Sequence, residues 1–210
     1  KKNFYIYGPN SENKPNEKYI DYTIILLKPY PNNLINFKKK YLFINAFYYQ
    51  NFVSRNKDIS NELIKNYDKC LVGANLSNLD NGYESIDLFS QGYFGSLMAL
   101  GRILFYLNSK YQSYNCVIEG FDFYLNKDPY KNLHYHKLER DINNQISEFV
   151  YCLSLAEHDF LYNFMGTKEL LNKVNIIDSD KFKKIIKLSR KEYAEKLFEN
   201  RDFRSLKFLR

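Results

Sequence analysis

A chain of 210 residues with 31 Lys and Arg against 24 Asp and Glu has a net charge of +7. With 45% hydrophobic and 26% charged residues, its composition is that of a globular protein, which excludes a largely disordered chain. At this length one domain with an appendage is expected, large enough to be stable without metal or disulfide staples, and no apolar run is long enough for a membrane-spanning helix to be expected.

The first element is Asn3–Tyr7, an aromatic and β-branched run stopped by the turn cluster Gly8-Pro9-Asn10-Ser11. Further apolar runs follow at Tyr22–Leu27, Tyr41–Ile44, Lys69–Gly73 and Asn115–Glu119, with a helix-like stretch over 47–65. Short, non-alternating apolar runs separated by helix-length segments predict parallel strands buried on both faces. The fold class is therefore α/β, a single Rossmann-like domain with a mostly parallel sheet flanked by helices. Between the fourth and fifth runs, Gly92–Tyr106 sets Leu97, Leu100, Ile103 and Leu104 on one helical face. Leu138, Ile142, Ile146, Phe149 and Val150 repeat that spacing, Phe149–Leu155 could begin a sixth strand, and beyond Asp159 the chain reads as helical to its end. The three cysteines, Cys70, Cys116 and Cys152, form no C-x-x-C pair and sit among apolar neighbours, which predicts buried thiols in a reducing compartment. The N-terminal segment reads as a strand, without a signal-peptide core, so a cytoplasmic location is expected.

Ligands of open α/β sheets bind beyond the carboxyl ends of the strands. Those positions hold Gly8, Asn10 and Ser11 after the first strand, Asn45 after the third, Asn75 after the fourth, and Phe121–Tyr124 after the fifth. Glycine permits close backbone approach, and an Asn amide both donates to and accepts from a base or ribose. Gly-Pro-Asn is equally a common turn, and it is neither G-x-G-x-x-G nor a Walker sequence. Ser90-Gln91-Gly92 precedes the long predicted helix, a suitable start for holding an anionic group and equally a plain N-cap. His134 and His136 flank Tyr135, but no Cys, Asp or Glu completes a tight cluster, so no metal is expected.

Several spaced segments carry a family resemblance. Gly120-Phe121-Asp122-Phe123-Tyr124 is followed by Tyr130, and four residues separate His136 from the pair Asp141-Ile142. Phe149–Leu155, Ser90-Gln91-Gly92, Tyr5–Ser11 and Phe43-Ile44-Asn45 occur in the matching order. In these segments the chain resembles the Campylobacter-type bacterial sialyltransferases, which use CMP-sialic acid to build lipooligosaccharide. The resemblance implies a nucleotide-sugar-binding domain over 1–175, with a short lid over 125–136, and a basic helical segment over 176–210. It implies inverting, metal-independent transfer of sialic acid or a related anionic sugar from a CMP-sugar to a bacterial surface glycan, with no cofactor beyond that donor. His136 would be the general base, and Tyr124 and Tyr130 would donate to the departing phosphate. Gly8, Asn10, Ser11, Asn45, Asn75, Ser90, Gln91 and Gly92 would hold the nucleotide. Such donors suit the chemistry, because the leaving CMP develops negative charge. The alternative is a noncatalytic nucleotide- or glycan-binding module of the same fold.

The basic tail interleaves charged and apolar residues at helical spacing, as a solvated helix does. The same pattern fits peripheral contact with the anionic inner face of the membrane, near a lipid-linked acceptor. Acidic residues are interspersed and no nucleic-acid-binding motif occurs, so nucleic acid is not an expected partner. The oligomeric state, a homo-oligomer included, is open.

Overall fold

The computed structural model describes residues 1–9, 11, 14–30, 36–73, 79–86, 97–123, 125 and 160–199; for Phe47, Phe198 and Glu199 only the backbone is described. Seven strands form one sheet: β1 (Lys2–Tyr7), β2 (Thr23–Leu26), β3 (Lys39–Asn45), β4 (Lys69–Gly73), β5 (Tyr83–Ser85), β6 (Tyr114–Glu119) and β7 (Val174–Ile176). Their order is β5-β4-β3-β2-β1-β6-β7, and every neighbouring pair is parallel. The chain steps outward from β1 through β5, then returns to the other side of β1 with β6. β1 and β6 thus border the point where strand order reverses, the usual ligand crevice of such sheets.

Both faces of the sheet are covered, which is why its strands read as continuous apolar runs. On one face Phe4, Ile6, Ile25, Phe43, Leu71, Cys116 and Ile118 join a core with α3 (Ala99–Lys110), α4 (160–170), α5 (Asp180–Ile186) and α6 (Arg190–Glu199). On the other, Tyr5, Tyr7, Ile24, Leu26, Leu42, Ile44, Cys70, Val72 and Val117 pack with Tyr49, Val53 and Leu63. This second layer comprises a single turn, α1 (Ala46–Tyr48), a π turn (Tyr49–Val53) and α2 (Lys57–Asn66). Register is fixed at the amino end by a side-chain ladder across three adjacent strands. Asn115 Nδ2 donates to Asn3 Oδ1 and Asn175 Nδ2 to Asn115 Oδ1, each at 2.8 Å, between residues directly in register. A slip by one residue would exchange the two faces.

The structure differs from the sequence reading in four places. The helix expected over 47–65 is interrupted at Ser54–Asn56, because the Asn56 side chain caps α2 by accepting from the Asp58 and Ile59 amides. The helix expected from Gly92 begins at Ala99, after an extended Met98, and Ser90-Gln91-Gly92 lies outside the described residues. Leu97, Leu100, Ile103 and Leu104 are nevertheless buried, as the spacing requires. Strands β5 and β7 have no counterpart in the sequence reading, and β7 interrupts the helical stretch expected beyond Asp159. Each is a three-residue edge strand without an apolar run. β5 is secured instead by charge: Glu84 accepts from Lys69 Nζ at 2.8 Å and pairs with Lys110 at 3.3 Å. The possible strand at Phe149–Leu155 lies outside the described residues.

Over 180–197, seven Lys and Arg stand against three Asp and Glu, so this stretch holds +4 of the chain's charge. Its apolar residues Phe182, Ile186, Tyr193 and Leu197 are buried in the shared core. What this stretch offers an anionic surface is therefore charge rather than an apolar face. Among the described residues no helix is long and apolar enough to cross a membrane. Leu197→Ala should cost about 2–5 kcal/mol in denaturant unfolding, the range for a truncated core side chain. A loss within the scatter of surface substitutions would mean that α6 is not part of the cooperative fold.

Candidate functional site

The site begins where β1 and β6 end. Gly8 N–H donates to Glu119 O at 2.8 Å, carrying the parallel ladder one step past the last paired residues, Tyr7 and Glu119. The backbone beyond is too close for side chains. A Cβ on Gly8 would lie 2.5 Å from Gly120 O, and one on Gly120 would lie 2.2 Å from Ser11 Oγ and 2.8 Å from Gly8 O. Gly120 also has φ +73°, in the left-handed region that favours glycine. Below this contact Tyr5, fully buried, donates its hydroxyl to Glu119 Oε2 and accepts from Asn16 N–H at 3.3 Å. Burial, then the bond to Glu119, pushes the Tyr5 phenol well above its ordinary value, so it remains a donor.

A cleft of about 360 Å³ opens over the end of β6. Its walls are the loop after β1 (Ser11, Asn16 and Tyr19), the β6 exit from Glu119 to Asp122, and the β7–α5 junction from Asp178 to Phe182. Such a volume is within the range of small-ligand sites. Two bonds tie its walls together, with Asp178 Oδ2 accepting from Lys18 Nζ at 2.9 Å and Tyr19 OH at 2.8 Å. A third tie is Ser179 Oγ, which accepts from Ile118 N–H and donates to Ile177 O, both at 2.8 Å. Glu119, Asp122, Asp178 and Asp180 make the lining acidic, against Lys181 alone. Carboxylates of this kind accept hydrogen bonds from sugar or ribose hydroxyls and repel a phosphate.

The backbone around the cleft is strained. Phe123 has φ +52° and Asp178 φ +45°, the two positive-φ residues other than glycine among those described. A residue with a side chain in that region costs about 1–3 kcal/mol and persists only where its surroundings enforce it. Phe123 is 4% exposed; its ring meets Phe164 edge-on at 5.2 Å, and its carbonyl accepts from Tyr193 OH at 2.8 Å. The turn closes with Leu125 N–H donating to Asp122 O at 3.2 Å.

No family model, curated protein or solved structure matches this chain.

Of the residues singled out in the sequence, Gly8 and Ser11 meet Gly120 at the switch point. Asn45 lies two strands away at the end of β3, where its Oδ1 accepts from Tyr48 N–H at 2.7 Å and caps α1. His136, Tyr124 and Tyr130 lie outside the described residues. So do Asn10, Asn75, Ser90, Gln91 and Gly92, the lid over 125–136 apart from Leu125, and Cys152. Cys70 and Cys116 are buried; burial pushes the Cys70 thiol up to about 12 and raises that of Cys116, so neither is an available nucleophile.

Two features escape the sequence reading. Glu119, the last residue of an apolar strand, gains its place from the long-range contact with Tyr5. Arg102 reaches from α3 across the end of β4, Nε donating to Leu97 O at 2.7 Å and Nη1 to Gly73 O. Burial lowers its guanidinium pKa, and among the described residues no carboxylate pairs with it. A signal for it exists, since Arg102 is the lone charge in Gly92–Tyr106.

The tie through Asp178 gives a pH signature. Hydrogen bonds from Lys18 and then Tyr19 hold its carboxyl below the ordinary value. Because the folded state favours the ionised form, its contribution is present above the unfolded pKa and lost as pH falls through the folded one. Asp178→Asn should therefore lower Tm relative to wild type at neutral pH, with the difference disappearing in acid. A difference of the same size at both pH values would contradict the tie.

Proposed function

We propose that this chain is a glycosyltransferase carrying out inverting, metal-independent transfer of an anionic sugar from a CMP-sugar to a bacterial surface glycan. The observation that carries this reading is a coincidence of two independent features. The Gly120–Phe123 segment, part of the sequence resemblance, continues directly from β6, and β6 with β1 forms the switch-point crevice, where glycines line both exits. An acidic cleft beside that crevice supports binding of a hydroxyl-bearing group, such as a ribose or sugar.

In this reaction the acceptor hydroxyl oxygen attacks the anomeric carbon from the face opposite the phosphate. The new carbon–oxygen bond forms as the bond to phosphate breaks, and CMP leaves with the electron pair. His136 takes the acceptor proton, and the hydroxyls of Tyr124 and Tyr130 donate to the phosphate oxygens as their charge grows. These three roles come from the sequence resemblance.

The test is donor turnover with CMP-Neu5Ac, CMP-Kdo and other cytidine donors. His136→Ala should lower transfer by about 10²–10⁴-fold, the usual contribution of general acid–base catalysis, while leaving CMP affinity largely intact. Equal transfer by wild type and variant would remove His136 from the mechanism. Nucleotide binding without turnover of any donor would favour the noncatalytic module, and no nucleotide binding would remove the glycosyltransferase reading.

A further inference from the structure

The chain leaves β6 through an unusual backbone: Gly120 and Phe123 both have positive φ, within four consecutive residues. Glycine accepts this conformation freely, whereas phenylalanine must be held in it. The residues that hold it come from the C-terminal third of the chain. Phe164 of α4 and Phe182 of α5 pack on the Phe123 ring at 5.2 and 5.9 Å. Tyr193 of α6, fully buried, lies flat against Phe164 with ring centroids 4.1 Å apart and planes 5° from parallel. That stacking aims its hydroxyl at the Phe123 carbonyl, which it reaches at 2.8 Å.

We infer that Tyr193 is a positioning residue: through its bond to the Phe123 carbonyl it holds the left-handed turn whose residues Gly120, Phe121 and Asp122 form the β6 wall of the cleft. The inference rests on the reading that the sugar donor binds in this cleft, and it makes α6 part of the site's machinery rather than an appendage. A carbonyl in a turn can rotate, and a hydrogen bond from a rigidly stacked phenol fixes its direction, and with it the direction of the following peptide. Phenylalanine at 193 would keep the stacking and burial and remove the hydroxyl that reaches the Phe123 carbonyl.

The experiment compares wild type, Tyr193→Phe and Tyr114→Phe. Tyr114 is a control, since it is also fully buried and donates its hydroxyl at 3.0 Å to Asn108, at the opposite end of β6 from this turn. Amide hydrogen exchange over residues 120–125 should rise about five- to tenfold in Tyr193→Phe, the effect of one lost hydrogen bond, and stay unchanged in Tyr114→Phe. With a CMP-sugar donor, kcat should fall by a similar factor and KM stay within about twofold. Unchanged exchange over 120–125, or an equal rise in the control, overturns the clamp. Increased local exchange with unchanged kcat overturns its role in the site. If wild type turns over no cytidine donor, the glycosyltransfer reading fails, and the exchange comparison alone decides whether Tyr193 holds the turn.

Discussion

The bond from Gly8 N–H to Glu119 O at 2.8 Å joins the two strands between which the sheet reverses its order. It holds together two exits separated by more than half the chain, and it does so only because neither exit carries a side chain at the contact. Ser11 Oγ already occupies the space where a Gly120 side chain would lie. With this contact in place, the loop after β1, the turn after β6 and the β7–α5 junction become walls of one cleft. Without it the strands would still pair, but their exits would diverge.

The abundance of tyrosine takes on a structural meaning in this setting. Tyr5 reaches Glu119, Tyr19 reaches Asp178, Tyr106 reaches Glu84 and Tyr193 reaches the Phe123 carbonyl. Each buries an aromatic body in one of the two cores and delivers a hydroxyl to a polar group at the boundary of the sheet. Phenylalanine would supply the packing without the tether. Three of these tethers end on the cleft walls or on the turn beside them, so the packing of the cores and the geometry of the cleft are set by the same side chains.

The central strands are legible in the sequence because burial on both faces leaves a continuous apolar signature, as in Tyr5-Ile6 and Ile24-Ile25-Leu26. The edges are not. β5 is Tyr-Glu-Ser and β7 is Val-Asn-Ile, each half-covered and held by partners such as Lys69 or Asn115 that a local reading does not associate with it. Asn56 is readable as a polar residue but not as the cap that divides one helical stretch into two. At the site, Gly8 is legible as a turn residue, whereas its apposition to Gly120 depends on the strand order, which no local pattern encodes. The left-handed Phe123 has no sequence signal at all, because the residues that enforce it lie on three later helices.

The central claim is that a nucleotide binds over the exits of β1 and β6. The most direct measurement is a structure of the protein with CMP bound. The nucleotide is expected over the exits of β1 and β6, with its ribose hydroxyls toward the carboxylates of the cleft and its phosphate directed away from them. A nucleotide seated at the amino-terminal edge of the sheet, or no occupancy at saturating CMP, would contradict it.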